Sequence, residues 1–290
     1  MFLHTINTGF FKLDGGAMFG VVPKTIWNKT NPADANNLCT WALRCMLIED
    51  GHRLILVDTG IGNKQDAKFL SHYVLHGDHN LNDSLKSKGF SSEDITDVFL
   101  THLHFDHCGG AIVRHGEKLL PAFSNAVYWS NPAHWAWATE PNEREKASFL
   151  KENILPIQET GRLQMVSVEE KYKDENNDLL ANIPFADGFN IRIANGHTNA
   201  MMLPQMEYKG RTIVFMADLV PSAGHLPIPY VMAYDMFPLT SLKEKKAFLE
   251  EALAGNYILF FEHDPVHECC TLQKTEKGIR VKDFFLLKDL

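Results

Sequence analysis

Positive charge is the scarcer sign in this chain. Its 290 residues hold 28 lysines and arginines against 36 aspartates and glutamates, a formal net charge of −8, with an isoelectric point near 5.9. An acidic surface repels phosphate backbones, so no nucleic-acid partner is expected. Long apolar runs are also missing: no stretch approaches about 18 consecutive apolar residues, so no membrane span is expected. The start, Met1-Phe2-Leu3-His4-Thr5, lacks a basic segment followed by an apolar one, which argues against a signal peptide. Cysteine is sparse and odd in number (Cys39, Cys45, Cys108, Cys269, Cys270), without framework spacing, and reads as reduced thiols in a cytoplasmic protein. No low-complexity linker or internal repeat divides the sequence, so residues 1–290 read as one domain. Hydrophobic residues at 45% and charged residues at 22% exclude a disordered chain.

What remains is β-rich. Residues 10–27, with Gly15-Gly16, Gly20 and Pro23, read as strands joined by a turn-rich loop. Runs 39–49 and 53–58 are apolar and β-prone, and Glu49-Asp50-Gly51-His52 between them signals a hairpin. Short helices are expected over 64–73 and 81–88, a brief buried strand over 98–101, and a helix over 131–152. Further strands are expected over 163–168, 189–194, 203–208, 212–217 and 257–261, with a helix capped at Ser241 and ended by Gly255. Two β-rich halves with helices outside predict an α+β sandwich of two sheets flanked by helices.

The 14 histidines matter by their placement. His102, His104, Asp106 and His107 lie within six residues, directly after an apolar strand. Neutral imidazole and carboxylate are ligands for zinc and similar divalent ions. In extended chain, residues two apart share a face, so His102 and His104 point at one ion. A turn beyond them swings Asp106 and His107 towards a second, and Gly109-Gly110 permits a sharp reversal there. A polar turn with surface histidines is the bland alternative, and four potential ligands in one hexapeptide disfavour it. His72, His76 and His79 form a looser set and read as a solvated helix and loop. Cys108 reads as a small buried thiol, and Cys269-Cys270 as strand packing.

The run His102-Leu103-His104-Phe105-Asp106-His107 resembles the HxHxDH motif of the metallo-β-lactamase superfamily. Asp58-Thr59-Gly60, Asn195-Gly196-His197-Thr198, Phe215-Met216-Ala217-Asp218 and Phe260-Phe261-Glu262-His263-Asp264 resemble its other markers, in order. The resemblance implies an αβ/βα sandwich of two mixed β-sheets. It implies that His102, His104 and His197 hold one divalent ion, that Asp106, His107 and His263 hold a second, and that Asp218 bridges them. The expected cofactors are therefore two divalent ions, zinc first, with manganese, iron or cobalt fitting the same donors. Such a pair activates a shared water as hydroxide and polarises a carbonyl or phosphoryl oxygen. Asp106 and Asp218 are then the catalytic carboxylates. One departure is that Thr198 is followed by Asn199-Ala200-Met201, where the family often has a second histidine.

Within that family, Asp218 stands where true β-lactamases commonly carry cysteine. Only 27 residues follow His263, too few for the helical domain of a glyoxalase II. His104 rather than glutamate disfavours the flavodiiron branch. Residues 14–24 resemble the loop of the branch holding N-acyl-homoserine lactonases and methyl-parathion-type hydrolases, so a lactone, ester or phosphotriester is the expected small-molecule substrate. Met18, Phe19 and Trp27 are then candidate substrate contacts, with Trp129, Trp135 and Trp137 as a second wall, and core packing is the alternative for each. Several lactonases of the branch carry a tyrosine three residues after the bridging aspartate. Pro221 occupies that position here, leaving Tyr234 or His225 as substitutes. A homodimer is expected by analogy with the branch. The competing functions are a non-catalytic or redox metal-binding protein, or hydrolysis of a thioester, β-lactam or phosphodiester.

Overall fold

The computed structural model describes residues 1–167 and 183–290, in two compact units: Met1–Gly9 with Leu43–Val168, and Phe10–Ala42 with Glu169–Leu290. The first unit is built on a six-stranded sheet. Its strands are β1 (Phe2–Asp14), β2 (Leu38–Asp50), β3 (Arg53–Val57) and β4 (Asp97–Phe99). A separate hairpin, β5 (Ile112–His115) and β6 (Lys118–Pro121), precedes β7 (Val127–Ser130) and β8 (Leu163–Met165). The sheet order is β1-β2-β3-β4-β7-β8. The β2–β3 pair is the antiparallel hairpin expected from its turn, whereas β3, β4, β7 and β8 pair in parallel. A parallel strand is covered on both faces, which is why Leu54 to Val57 are buried without alternation. Ile6, Leu47, Leu56, Val98, Tyr128 and Ile157 share its apolar core.

The second unit carries a seven-stranded sheet of β9 (Ile183–Ala186), β10 (Phe189–Ala194), β11 (Met201–Tyr208), β12 (Arg211–Phe215), β13 (Ile258–Phe260), β14 (Cys269–Thr275) and β15 (Gly278–Phe285). Its order is β15-β14-β13-β12-β11-β10-β9. Only β12 and β13 pair in parallel, so the strand ends that precede Asp218 and His263 lie side by side. Both sheets are mixed and helices accompany them, the α+β class expected.

Several local expectations change. The helix expected over 131–152 is two, Pro132–Thr139 and Lys151–Glu159. Glu140 precedes Pro141, whose ring disfavours helical backbone at the residue before it. Ser241 lies inside its helix rather than at the cap: the helix is Pro238–Ala254, begun by a proline whose fixed φ suits the first turn. Gly255 does end it as the C-cap, where a Cβ would meet the Tyr257 ring at 2.3 Å. Residues 10–27 contain two short helices, Gly15–Phe19 and Lys24–Trp27, the first capped by the Asp14 carboxylate, which accepts from the Ala17 N–H. The strand expected over 163–168 ends at Met165, and Val168 lies outside the described residues. The five cysteines are buried and none forms a disulfide. Among the described residues, no helix is long and apolar enough to cross a membrane.

Asp97 on β4 ties the first sheet together across three strands. Its carboxylate accepts two bonds from Arg53 on β3, one from Thr96 and one from the Trp129 indole on β7. Burial pushes this carboxyl up, but those donors outweigh it and hold it below the ordinary carboxylate value. A depressed folded-state pKa contributes stability that is complete above the unfolded value and is lost as pH falls through the folded one. Asp97→Asn is therefore expected to lower Tm most near neutral pH, with the gap to the natural protein narrowing from about pH 5 towards about pH 3. Thermal melts across that range check it, and a pH-independent gap refutes it.

Candidate metal centre

In the first unit the chain leaves β4 straight into the histidine hexapeptide. His102, His104, Asp106 and His107 are buried, the last two on the one-turn helix Phe105–Cys108. Asp58, just past β3, holds this segment. One carboxylate oxygen accepts from the Thr101 N–H at 2.8 Å; the other accepts from the Thr101 hydroxyl at 2.6 Å and faces His107 Nδ1 at 3.1 Å. Thr59 donates its N–H and hydroxyl to the His107 carbonyl, and Gly110 donates to the Gly60 carbonyl. Here glycine is required: a Cβ on Gly109 would lie 2.1 Å from the Ile61 carbonyl oxygen. The Leu103 N–H, between the two leading histidines, donates to His134 Nε2 at 2.9 Å. Glu145 accepts from His104 Nε2 at 2.9 Å and from the Trp137 indole at 2.6 Å.

These partners decide which ring nitrogen carries the proton. The Thr101 hydroxyl spends its hydrogen on Asp58, so at 3.1 Å it accepts from His102 Nδ1. His104 gives its Nε2 proton to Glu145, and His107 gives its Nδ1 proton to Asp58. The lone pairs then sit on His102 Nε2, His104 Nδ1 and His107 Nε2. The first two face each other at 3.1 Å, and the third lies 3.8 Å from an Asp106 oxygen. Two imidazole lone pairs at that separation repel unless a cation or a proton stands between them.

The second unit repeats the logic. His197 follows β10, Asp218 follows β12 and His263 follows β13. His197 Nδ1 gives its proton to Asp235 at 2.8 Å, and His263 Nδ1 donates to the Ala42 carbonyl at 2.8 Å. Their Nε2 atoms face opposite oxygens of Asp218, at 3.0 and 3.2 Å. Burial works against charging His197, yet the Asp218 and Asp235 carboxylates overcome it and push its pKa up to about 10. Both carboxylates favour positive charge at the His197 ring. Ligand histidines of metal centres show the same pattern, one nitrogen towards the ion and the other donating to carboxylate or carbonyl. The donor set fits divalent metal.

Met18, Phe19 and Trp27 are buried. Phe19 stacks between Trp27, at 5.3 Å, and His225, at 4.3 Å. His225 lines one cavity together with Asp218, Asp235, Ser241 and Lys245. Its Nε2 donates to the Met18 carbonyl and its Nδ1 accepts from Ser222. Burial holds it neutral, down at about 3. Tyr234 is partly exposed. Of the tryptophans, Trp129 is bonded to Asp97, Trp135 lies in the first unit's core and Trp137 donates to Glu145. Burial pushes the Cys108 thiol up to about 12, and its Sγ donates to the Leu103 carbonyl at 3.3 Å. Sequence reasoning missed Glu145, His134 and Asp235, because the residues they serve lie 31 to 41 positions away. The Asp58-Thr59-Gly60 marker was the one sequence sign of this supporting layer.

Comparison with known proteins agrees with this geometry. The family model described as the metallo-β-lactamase superfamily matches residues 43–263. An N-acyl homoserine lactonase of Bacillus cereus is 26% identical over 246 residues, covering 80% of this chain and 84% of that protein. A probable metal-dependent hydrolase from Staphylococcus aureus superposes with a TM-score of 0.84 at 26% identity, covering 98% of this chain and 96% of the other. The dizinc quorum-quenching lactonase AidC, solved with its product, superposes at 0.76 with 20% identity, covering 98% and 95%, a likeness of fold.

Asp58 holds Thr101, just before the hexapeptide, and His107 within it, and cannot be replaced by an amide without turning one acceptor into a donor. Asp58→Asn is expected to weaken zinc binding by about 10- to 100-fold. Competition against a chromogenic chelator measures it, and unchanged affinity in a folded variant contradicts the assignment.

Proposed function

The chain belongs to the metallo-β-lactamase superfamily and is a metal-dependent hydrolase, and we propose that it opens a lactone, with esters and phosphotriesters as related substrates, at a dinuclear centre. His102, His104 and His197 would hold one ion, and Asp106, His107 and His263 the other, with Asp218 serving both. The observation that carries this reading is the common arrangement of the five histidines: each gives one ring proton to a fixed oxygen and presents its other nitrogen to a fellow ligand. The donor composition of the two groups, imidazole and carboxylate only, suits zinc and equally manganese, iron or cobalt. Bound there, the ions supply an activated water and polarise the substrate's carbonyl or phosphoryl oxygen.

The protein's own part is positioning and proton handling. Asp106, buried with the other ligand-type residues of the hexapeptide, would orient the attacking water. Asp58, Glu145 and Asp235 keep the ligand rings in one tautomer. The lactonase reading rests on two supports: the N-terminal loop of residues 14–24, and relatives named as N-acyl homoserine lactonases. Met18, Phe19, Trp27, His225 and Tyr234 form the substrate wall. His225 supports this, because it lines a cavity with Asp218 while stacking on Phe19.

A panel of N-acyl homoserine lactones, aryl esters and phosphotriesters tests the assignment. Activity should vanish with chelator, return with added zinc or manganese, and disappear in Asp218→Ala. Hydrolysis that survives full metal removal, or a metal-loaded protein inert to the whole panel, overturns it. Within the panel, Phe19→Ala should weaken long-acyl lactones more than short ones, by about 1–3 kcal/mol in transition-state binding. Equal losses in kcat/KM along the series would remove Phe19 from the substrate wall.

A further inference from the structure

Helix Pro238–Ala254 buries two adjacent, opposite charges. Glu244 is 1% exposed and Lys245 is 2% exposed. Burying either ion is expensive unless its hydrogen-bonding capacity is filled. In both cases backbone groups supply partners. The Glu244 carboxylate accepts from the N–H groups of Asn195, at 2.7 Å, and Gly196, at 2.9 Å. These are the two residues immediately before His197. The Lys245 ammonium spends its three donors on the carbonyls of His225, Pro227 and Tyr230, at 3.0, 3.2 and 2.7 Å. Those carbonyls belong to the loop that delivers Asp235 to His197 Nδ1.

Successive helical residues point about 100° apart, so one Glu-Lys pair reaches two different loops. The loops also bind each other: Phe237 donates to the Gly196 carbonyl and Met236 to the His197 carbonyl. The approach is close enough that a Cβ on Gly196 would lie 2.3 Å from the Ser241 backbone nitrogen. Backbone and ring of His197 are thus fixed from the same helix by separate routes. A carboxylate serving two consecutive amides and an ammonium serving three carbonyls thus tie both loops to one helix.

We propose that Glu244 and Lys245 are positioning residues for His197, Glu244 setting its backbone and Lys245 setting the loop whose Asp235 orients its ring. The inference rests on the reading of His197 as a metal ligand. Two consequences follow for the natural chain and its variants. Zinc binding should depend on both residues, and the hydrogen-bonded Nδ1–H of His197 should depend on them even with metal removed.

The test compares Glu244→Gln and Lys245→Met with Lys246→Met, a neighbouring exposed lysine, as control. Zinc affinity is read by chelator competition, folding by circular dichroism, and the His197 imidazole N–H by nitrogen-15 NMR of the metal-stripped protein. Folded Glu244→Gln and Lys245→Met should each bind zinc about 10- to 100-fold less tightly and lose the sharp downfield imidazole resonance. Lys246→Met should change neither. Glu244→Asp, which keeps the charge but withdraws the carboxylate by one methylene, provides the milder variant and should lose zinc affinity while keeping its fold. Variants that fold with natural zinc affinity and an intact resonance overturn the inference, as does zinc loss that only tracks unfolding. A natural chain that binds no zinc refutes the proposed function instead, and the resonance in the stripped protein still decides this inference.

Discussion

A proton on the outward nitrogen of each site histidine is the constraint on which the rest depends. Imidazole offers one donor and one acceptor, and a metal ion can use only the acceptor. If the tautomer slips, the lone pair turns away and the ligand is lost. This chain prevents the slip with fixed oxygens: Asp58 for His107, Thr101 for His102, Glu145 for His104, Asp235 for His197 and the Ala42 carbonyl for His263. Three of the five are buried carboxylates, which also hold negative charge beside a centre meant for cations.

Buried carboxylates are costly, and at Asp58 and Glu145 backbone amide, hydroxyl and indole donors offset part of that cost. Asp58 takes an N–H and a hydroxyl from Thr101; Glu145 takes an indole N–H from Trp137. Charge-assisted hydrogen bonds of this kind are strong and directional, so the same contacts that compensate desolvation also fix geometry. Glu244 and Lys245 extend that economy one layer outward, trading their charges against the backbone of the loops that carry His197 and Asp235. His225, pressed against Phe19 and driven neutral by burial, contributes shape rather than charge.

Much of the fold could be read along the chain. The Glu49-to-His52 turn between two apolar runs gave the β2–β3 hairpin, and β10 matches the expected run 189–194 at both ends. Failures came where a neighbour in sequence or space overrode a local pattern. Pro141 broke the helix expected over 131–152, and Pro238 started the last long helix three residues before Ser241. On the last long helix Glu244 and Lys245 are buried between exposed Lys243 and Lys246, because burial depends on which loops the helix meets.

The sequence by itself determined the candidate donors. Four ligand-type residues in His102–His107, followed in order by His197, Asp218 and His263, fix what chemistry is possible, since side-chain type and local spacing are written in the chain. Tertiary structure alone decided which nitrogen of each ring faces inward, and that Asp235 beside the conspicuous Tyr234 is the residue bonded to His197. It also decided that Phe19 and His225, 206 positions apart in the numbering, stack face to face. Those outcomes depend on hydrogen bonds and packing between segments far apart in sequence, and no local pattern encodes a partner that distant.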